Sequence, residues 1–215
     1  MTDTLQSMPV TKSKKSSSRS YHHGDLHRQL VEAAARLLRE EGDSALSMRR
    51  LAQELQVSRM APYHHFADKH ALLCAVAEEG FQRLLALIES DDFLNGRNTE
   101  KEGLRRFLGR YITFALDNRE YYDLMFGERL WKNQVPTDSL RTLSRASFKQ
   151  YVERLRQLPL SETVQDDALR YAQVSWSTLH GMSRVLIDGI YFESDAVNAM
   201  CDTATEMMWR AFKQA

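Results

Sequence analysis

The chain has 215 residues, with 29 basic and 29 acidic side chains and a formal net charge of zero. A chain of this length buries a sufficient core without disulfides or a metal, and its neutrality argues against a protein that binds a polyanion along its whole length. Its apolar stretches are shorter than the roughly 18–20 residues of a membrane span. With no apolar signal segment before them, its two cysteines indicate reduced thiols in a cytoplasmic protein.

The charge is unevenly distributed along the chain. Residues 1–70 contain 11 Lys or Arg and 8 Asp or Glu, whereas residues 71–215 contain 18 and 21. Six of the seven histidines also lie in the first 70 residues. Residues 1–20 are rich in Ser and Lys and have no period, which predicts a disordered basic arm. A polyanionic partner is therefore expected at the N-terminal end.

Three amphipathic segments follow the arm. Apolar residues at three- and four-residue steps predict a first helix from Asp25 to about Gly42. Ser47 is predicted to cap a second helix. After the break "QVS", a third and very short helix is expected from Ser58 to about His65.

The pattern remains helical downstream, without an alternating strand pattern of useful length. A long helix is predicted over residues 68–90, and further helices at about 101–117, 119–126, 137–157, 162–188 and 195–213. The sequence therefore predicts an all-α protein of about nine helices. Its expected organisation is a helix-turn-helix domain over 21–67, a connecting helix over 68–90, and a helical ligand-binding and dimerisation domain over 91–215.

The second and third predicted helices are too short to be stable alone, so they need the first helix as a packing partner. Three helices of this kind have the geometry of a helix-turn-helix unit, whose second helix fits the major groove of B-DNA. For the spacing alone, a plain helical hairpin remains the alternative.

The chemistry of the outward-facing side chains predicts how such a unit would contact DNA. Arg59 would reach base edges, Met60 and Ala61 a thymine methyl, and Tyr63 a phosphate. Ser47 and the first amides of its helix would face another phosphate. The predicted DNA-binding residues are Ser47, Met48, Arg49, Ser58, Arg59, Met60, Ala61, Tyr63, His64 and Lys69.

Residues 20–81 resemble the DNA-binding region of the TetR family of bacterial transcriptional regulators. The motifs that carry the likeness are "S-x-R-x-L-A" from Ser47, the "V-S" turn, "Y-x-H-F" from Tyr63 and "D-K-x-A-L" from Asp68. The resemblance implies phosphate contacts for Ser47, Tyr63 and Lys69. It places Arg59, Met60 and His64 on the groove face and Phe66 in the core.

A second, shorter likeness lies near the C-terminus. The stretch "SWSTLHGMS" resembles the Trp-x-x-x-His-Gly signature of one ligand-binding subgroup, carried by Trp176, His180 and Gly181. Family members are homodimers through their last two helices, and most release DNA when a small molecule enters the C-terminal domain. The resemblance therefore implies a ligand-responsive regulator, by default a repressor, that binds a near-palindromic operator on double-stranded DNA.

Two features of the C-terminal half leave alternatives open. Apolar stripes on the last two helices, with residues such as Leu179 and Met207, favour ordinary core by their periodicity alone, with a dimer interface as the alternative. The preceding helices are rich in aromatic residues, which form either a plain core or a cavity for an apolar or aromatic effector. The predicted ligand-binding residues are Tyr111, Phe114, Trp131, Trp176 and His180.

Other classes of function have little support in the sequence. His22, His23 and His27 lie close together, but no cysteine or spaced second pair accompanies them, so DNA-backbone contacts are preferred over zinc. No acid–base pair, activated nucleophile or phosphate loop stands out, so neither catalytic residues nor a cofactor are predicted. The alternative function is a DNA-binding protein whose C-terminal domain binds a protein partner.

Overall fold

The computed structural model describes residues 23–90, 99–190 and 196–214, and all regular elements in these ranges are helical. The prediction of an all-α fold is confirmed. The arm over residues 1–20 lies outside the described residues. The α-helices are α1 His23–Glu41, α2 Met48–Glu54, α3 Lys69–Glu89, α4 Glu100–Asp117, α5 Arg119–Phe126, α6 Glu128–Trp131, α7 Asp138–Arg156, α8 Glu162–Asp166, α9 Ala168–Asp188 and α10 Ala196–Gln214.

The end of the first helix and the cap of the second lie where the sequence predicts. Helix α1 ends at Glu41, and Gly42 follows it with a positive φ of 78° that suits glycine. Ser47 caps α2, because its hydroxyl oxygen accepts a hydrogen bond from the amide of Arg50 at 3.2 Å. We call α1, α2 and the segment that follows them up to Asp68 the head, and helices α4 to α10 the body.

The third predicted helix differs from the expectation in type and in length. Only Ala61–His64 is regular, and it is a 3-10 helix. Its amides donate to carbonyls three residues earlier, Ala61 to Ser58 and Tyr63 to Met60, both at 3.0 Å. Pro62 explains the difference, because it has no amide to donate and its ring disfavours the α-helical turn before it. Ser58 therefore starts the segment through its backbone carbonyl and not as a side-chain cap.

Two details of the body also differ from the expectation. The helix predicted over 162–188 is two helices, α8 and α9, because Asp167 leaves the helical conformation at φ −116° and ψ 36°. The short helix α6 follows Gly127 and was not predicted, since four residues are too few to show a period.

Helix α3 connects head and body. Its buried side chains run from Leu72 to Ile88, and it packs against α1, α5 and α7. It passes very close to α5 at Gly80, where an added Cβ would lie 3.0 Å from the Cβ of Tyr121. The buried apolar residues of head and body form one continuous cluster. Within the described ranges, none of the helices has the combination of length and apolar character that a bilayer crossing requires.

Candidate nucleic-acid interface and apolar cavity

One face of the head carries most of the predicted DNA-binding side chains. Arg49, Ser58, Arg59 and His64 are exposed, as is Ser47 at the start of α2. Two large side chains on the same face are unusually open for their size, Met60 at 61% and Tyr63 at 48% exposure. Such a surface, with flanking cations, has no partner within the head.

Not every predicted residue is placed to contact DNA with its side chain. Met48 is only 5% exposed and belongs to the core of the head, so its side chain is unavailable and only its backbone lies at the start of α2. The prediction of Met48 as a contact residue is wrong for the side chain. Ala61 is half-buried in the 3-10 helix.

Lys69 is held by an acidic residue of the loop after α1. Its ammonium group donates to the carbonyl of Asp43 at 2.9 Å and lies 3.1 Å from the carboxylate Oδ1. Burial alone would raise the pKa of Asp43, but hydrogen bonds from Arg129 and Lys69 outweigh burial and lower the pKa below its ordinary value. Asp43 therefore fixes Lys69 beside the exposed face.

The same aspartate ties the head to the body. Arg129 of α6 forms an ion pair with Asp43. A second pair joins Arg39 of α1 to the buried carboxylate of Glu120 at the start of α5. Helix α6 thus contacts the loop that positions Lys69. The last residue of the same helix, Trp131, lines an apolar cavity of the body.

That cavity lies between α3, α5, α6, α7 and α9 and has a volume of about 290 Å³. We call it the aromatic cavity. The indole of Trp131 is oriented by a hydrogen bond from Nε1 to the carbonyl of Met125 at 2.8 Å. The indole of Trp176 meets the ring of Phe148 edge-on, with centroids 5.6 Å apart. The residues that line the cavity are Phe81, Met125, Phe126, Trp131, Ser144, Phe148 and Trp176.

Three polar side chains next to the aromatic cavity, Tyr111, Tyr122 and His180, are connected by hydrogen bonds. The hydroxyl oxygens of Tyr111 and Tyr122 are 3.3 Å apart, and the Tyr122 hydroxyl is 2.7 Å from Nδ1 of His180. Burial raises the pKa of both tyrosines. Burial also lowers the pKa of His180, and the charge of Arg184 lowers it further. The neutral imidazole can therefore accept a hydrogen bond from the Tyr122 hydroxyl.

The predicted ligand-binding residues are only partly brought together. Trp131 and Trp176 line the aromatic cavity. Tyr111 and His180 do not line the cavity but contact residues that do. The ring centroid of Tyr111 lies 5.7 Å from that of Trp176, and the ring centroid of His180 lies 4.9 Å from that of Phe126. Phe114 is half-buried and is not among the lining residues.

Sequence reasoning did not assign several lining residues. Phe126 and Phe148 belong to the aromatic-rich helices, so their residue type was a usable signal, and Phe81 carried only a helix-core signal. Met125 and Ser144 carry no signal for a ligand site, because packing alone brings them to the cavity.

A larger apolar groove lies between the last two helices, with a volume of about 820 Å³. We call it the terminal groove. Met207 of α10 lies on it with 68% of its surface exposed, beside Val174 and Thr178 of α9. The predicted stripe of α10 lines this groove, whereas much of the α9 stripe, including Ala172 and Leu179, is core.

Metal ligands are scarce in the described ranges, where no group of three His, Cys, Asp or Glu residues could hold an ion. His22 and the side chain of His23 lie outside the described part. His27 packs its ring against Phe66, with centroids 4.7 Å apart.

Two family comparisons match most of this architecture. The sequence model described as "Bacterial regulatory proteins, tetR family" matches residues 30–76, which include α2 and the 3-10 helix. The model described as "Tetracyclin repressor-like, C-terminal domain" matches residues 104–211, half of the chain. The chain belongs to the TetR family. It is therefore a DNA-binding transcriptional regulator of a family that consists of regulators and not of enzymes.

Individual TetR relatives cover different parts of the chain. The HTH-type transcriptional repressor Rv1474c of Mycobacterium tuberculosis is 36% identical over 73 residues, which are 34% of this chain and 39% of that repressor. The repressor AcnR of Corynebacterium glutamicum is 26% identical over 161 residues, 75% of this chain and 77% of AcnR. A protein of unknown function from Rhodococcus sp. RHA1 has a similar structure, with a TM-score of 0.74 and 31% identity over 92% of this chain and 100% of that one.

The Trp-x-x-x-His-Gly signature lies within the matched C-terminal span of this TetR protein, on helix α9. Its Trp176 lines the aromatic cavity, and its His180 contacts the lining residue Phe126. Membership of the subgroup with that signature stays a prediction.

The lowered pKa of His180 predicts a pH-dependent stability. The unfolded chain takes up a proton near the ordinary histidine pKa of 6.5, whereas burial resists protonation in the folded protein. The contribution of His180 to the free energy of unfolding should therefore be constant above that pH. It should decrease as the pH falls below it, towards the lower folded pKa. Urea denaturation between about pH 7.5 and pH 5.5 measures this decrease.

The variant His180→Gln should lack this part of the decrease, because glutamine does not titrate. His64→Gln, which changes an exposed histidine of the head, is the matched control and should retain it. An equal decrease in the wild type and in His180→Gln would contradict the assignment.

Proposed function

We propose that the protein is a repressor that binds a near-palindromic operator as a homodimer and releases it when a small molecule occupies the aromatic cavity. The observation that carries this proposal is the exposure of Arg59, Met60, Tyr63 and His64, which lie in the 3-10 helix of the head or just before it. The relatives Rv1474c and AcnR, both described as transcriptional repressors, support repression as the mode of action.

The exposed face suits a division of labour on duplex DNA. Arg59 precedes the 3-10 helix and can reach the two acceptors of a guanine in the major groove. Met60 offers an apolar surface to a thymine methyl, and Tyr63 a hydroxyl to a phosphate. Ser47 and Lys69 would contact the DNA backbone. Ser47 would bind a phosphate by a hydrogen bond, and Lys69 would neutralise the charge of a phosphate. The bound 3-10 helix is therefore flanked by phosphate contacts.

Dimerisation through α9 and α10 is supported by the terminal groove. An apolar depression of about 820 Å³ with a highly exposed methionine is unfavourable in water. A second copy related by a twofold axis would cover it with its own α9 and α10 and form a four-helix interface. The two heads would then read half-sites about 34–36 Å apart.

Effector control is supported by the position of α6 between cavity and head. A molecule in the aromatic cavity touches Trp131, and the same short helix holds Asp43 through Arg129. The effector weakens DNA binding only if it binds the DNA-incompetent arrangement more tightly than the competent one. The cavity favours this function over the alternative in which the body binds a protein partner.

Arg59→Ala and Lys69→Ala should affect DNA binding in different ways. Loss of Arg59 should cost about 1–3 kcal/mol and relax base preference at one position, because a base contact is lost. Loss of Lys69 should weaken all sequences alike and reduce the salt slope by about one, because a phosphate contact is lost. Fluorescence anisotropy with a selected operator at several salt concentrations measures both effects.

Lys132→Ala is the matched control for these two variants, because Lys132 is an exposed cation at the end of α6 that pairs with Glu128 of the body. Its affinity for the operator should equal that of the wild type. Unchanged affinity and unchanged salt dependence in both head variants would refute the proposed contacts.

Met207→Glu should convert the dimer to a folded monomer. The side chain is already exposed in one copy, so a carboxylate costs the single chain little, but it would be buried without a partner in the dimer. Val135→Glu is the control, since Val135 is 73% exposed and lies outside the terminal groove. Sedimentation equilibrium should give a monomer mass for Met207→Glu and a dimer mass for the control; a dimer for both would contradict this interface.

A further inference from the structure

The aromatic cavity adjoins a second depression on the surface of the body. This depression has a volume of about 440 Å³ and lies mainly along α7, with one residue from α9. Ser144 and Phe148, one helical turn apart on α7, line both spaces. The two spaces are therefore neighbours that meet at these two side chains.

The second depression is cationic, and we call it the cationic groove. Its charged lining residues are Arg145, Lys149, Arg156 and Glu153. Arg156 is engaged by Glu153 at 3.0 Å. In the part of the chain that the structure describes, no acidic side chain pairs with Arg145 or Lys149. The groove therefore presents two cations without an acidic partner in a space next to the aromatic cavity.

The two cations lie on a predominantly basic helix, in contrast to the half of the chain to which that helix belongs. Arg145 and Lys149 are four residues apart on one helix, an arrangement in which like charges repel each other. The neighbouring Arg141, one turn earlier, pairs with Asp138 in the usual way. Residues 71–215 as a whole carry more acidic than basic side chains. An anion between Arg145 and Lys149 would remove the repulsion and form charge-assisted hydrogen bonds.

We propose that the effector is an aromatic or otherwise apolar carboxylate, with its apolar part in the aromatic cavity and its carboxylate bound by Arg145 and Lys149. This inference rests on the proposed function of the body as an effector-binding unit. The cavity of about 290 Å³ limits the apolar part to a compact group such as one aromatic ring. A neutral apolar effector would leave the two cations without a role, and a cationic one would be repelled by them.

The test uses phenylacetate, phenylpropionate and phenylbutyrate, each together with its neutral primary amide, and the full-length protein in calorimetric titrations. At least one carboxylate should bind about tenfold more tightly than its amide, a difference of about 1.4 kcal/mol. Its affinity should fall with rising salt, whereas the affinity of the amide should not. The double variant Arg145→Gln/Lys149→Gln should lose the preference for the acid, and Arg141→Gln, with a cation already paired on the same helix, should keep it.

Three results would overturn the inference: equal affinity for acid and amide, no binding by any of the carboxylates, or a preference that survives in the double variant. Operator binding measured on the same samples separates this outcome from the fate of the proposed function. If the amides bind as tightly as the acids and release DNA, the effector proposal stands and the carboxylate inference falls. If nothing binds but the operator is still bound, the regulator remains and both the cavity and the carboxylate assignments fall.

Discussion

The burial of α3 is the constraint on which the rest of the molecule depends. Its apolar residues from Leu72 to Ile88 are packed between the head and the body. At Gly80 the backbone approaches α5 so closely that a side chain would meet Tyr121 and Met125. Because protein interiors are close-packed, α3 cannot tilt without moving its neighbours on both sides. The orientation of the DNA-binding face is therefore set by packing in the body.

Charged contacts refine this orientation at the joint. Arg39 and Glu120 connect α1 to α5, and Arg129 and Asp43 connect α6 to the loop that holds Lys69. The pairs of Asp43 are partly exposed and contribute little to stability, whereas Arg39 compensates the buried charge of Glu120. Their importance lies in position, since a small displacement of α6 by a molecule against Trp131 would be passed to a residue proposed to contact phosphate.

The sequence predicted the features that depend on local patterns and missed those that depend on packing. The end of α1 next to Gly42, the cap at Ser47 and the all-α class follow from periodicity and capping chemistry, and the structure has them. The 3-10 helix was predicted as an α-helix, although Pro62 was visible and its effect on hydrogen bonding was the deciding factor. Met48 was assigned to the DNA face, but tertiary contacts bury its side chain in the core of the head. The cavity was expected from its aromatic composition, but Met125 and Ser144 reach it only through the arrangement of five helices.

The proposed function requires paired heads that read two inverted half-sites on duplex DNA. Selection of bound fragments from a random-sequence duplex pool by the purified full-length protein tests this pairing most directly. We expect enrichment of a twofold-symmetric site whose half-site centres are about 10–10.5 base pairs apart, or a multiple of that distance. Failure to enrich any sequence at low salt, or enrichment of a single half-site without its inverted copy, would show that the heads do not act as such a pair.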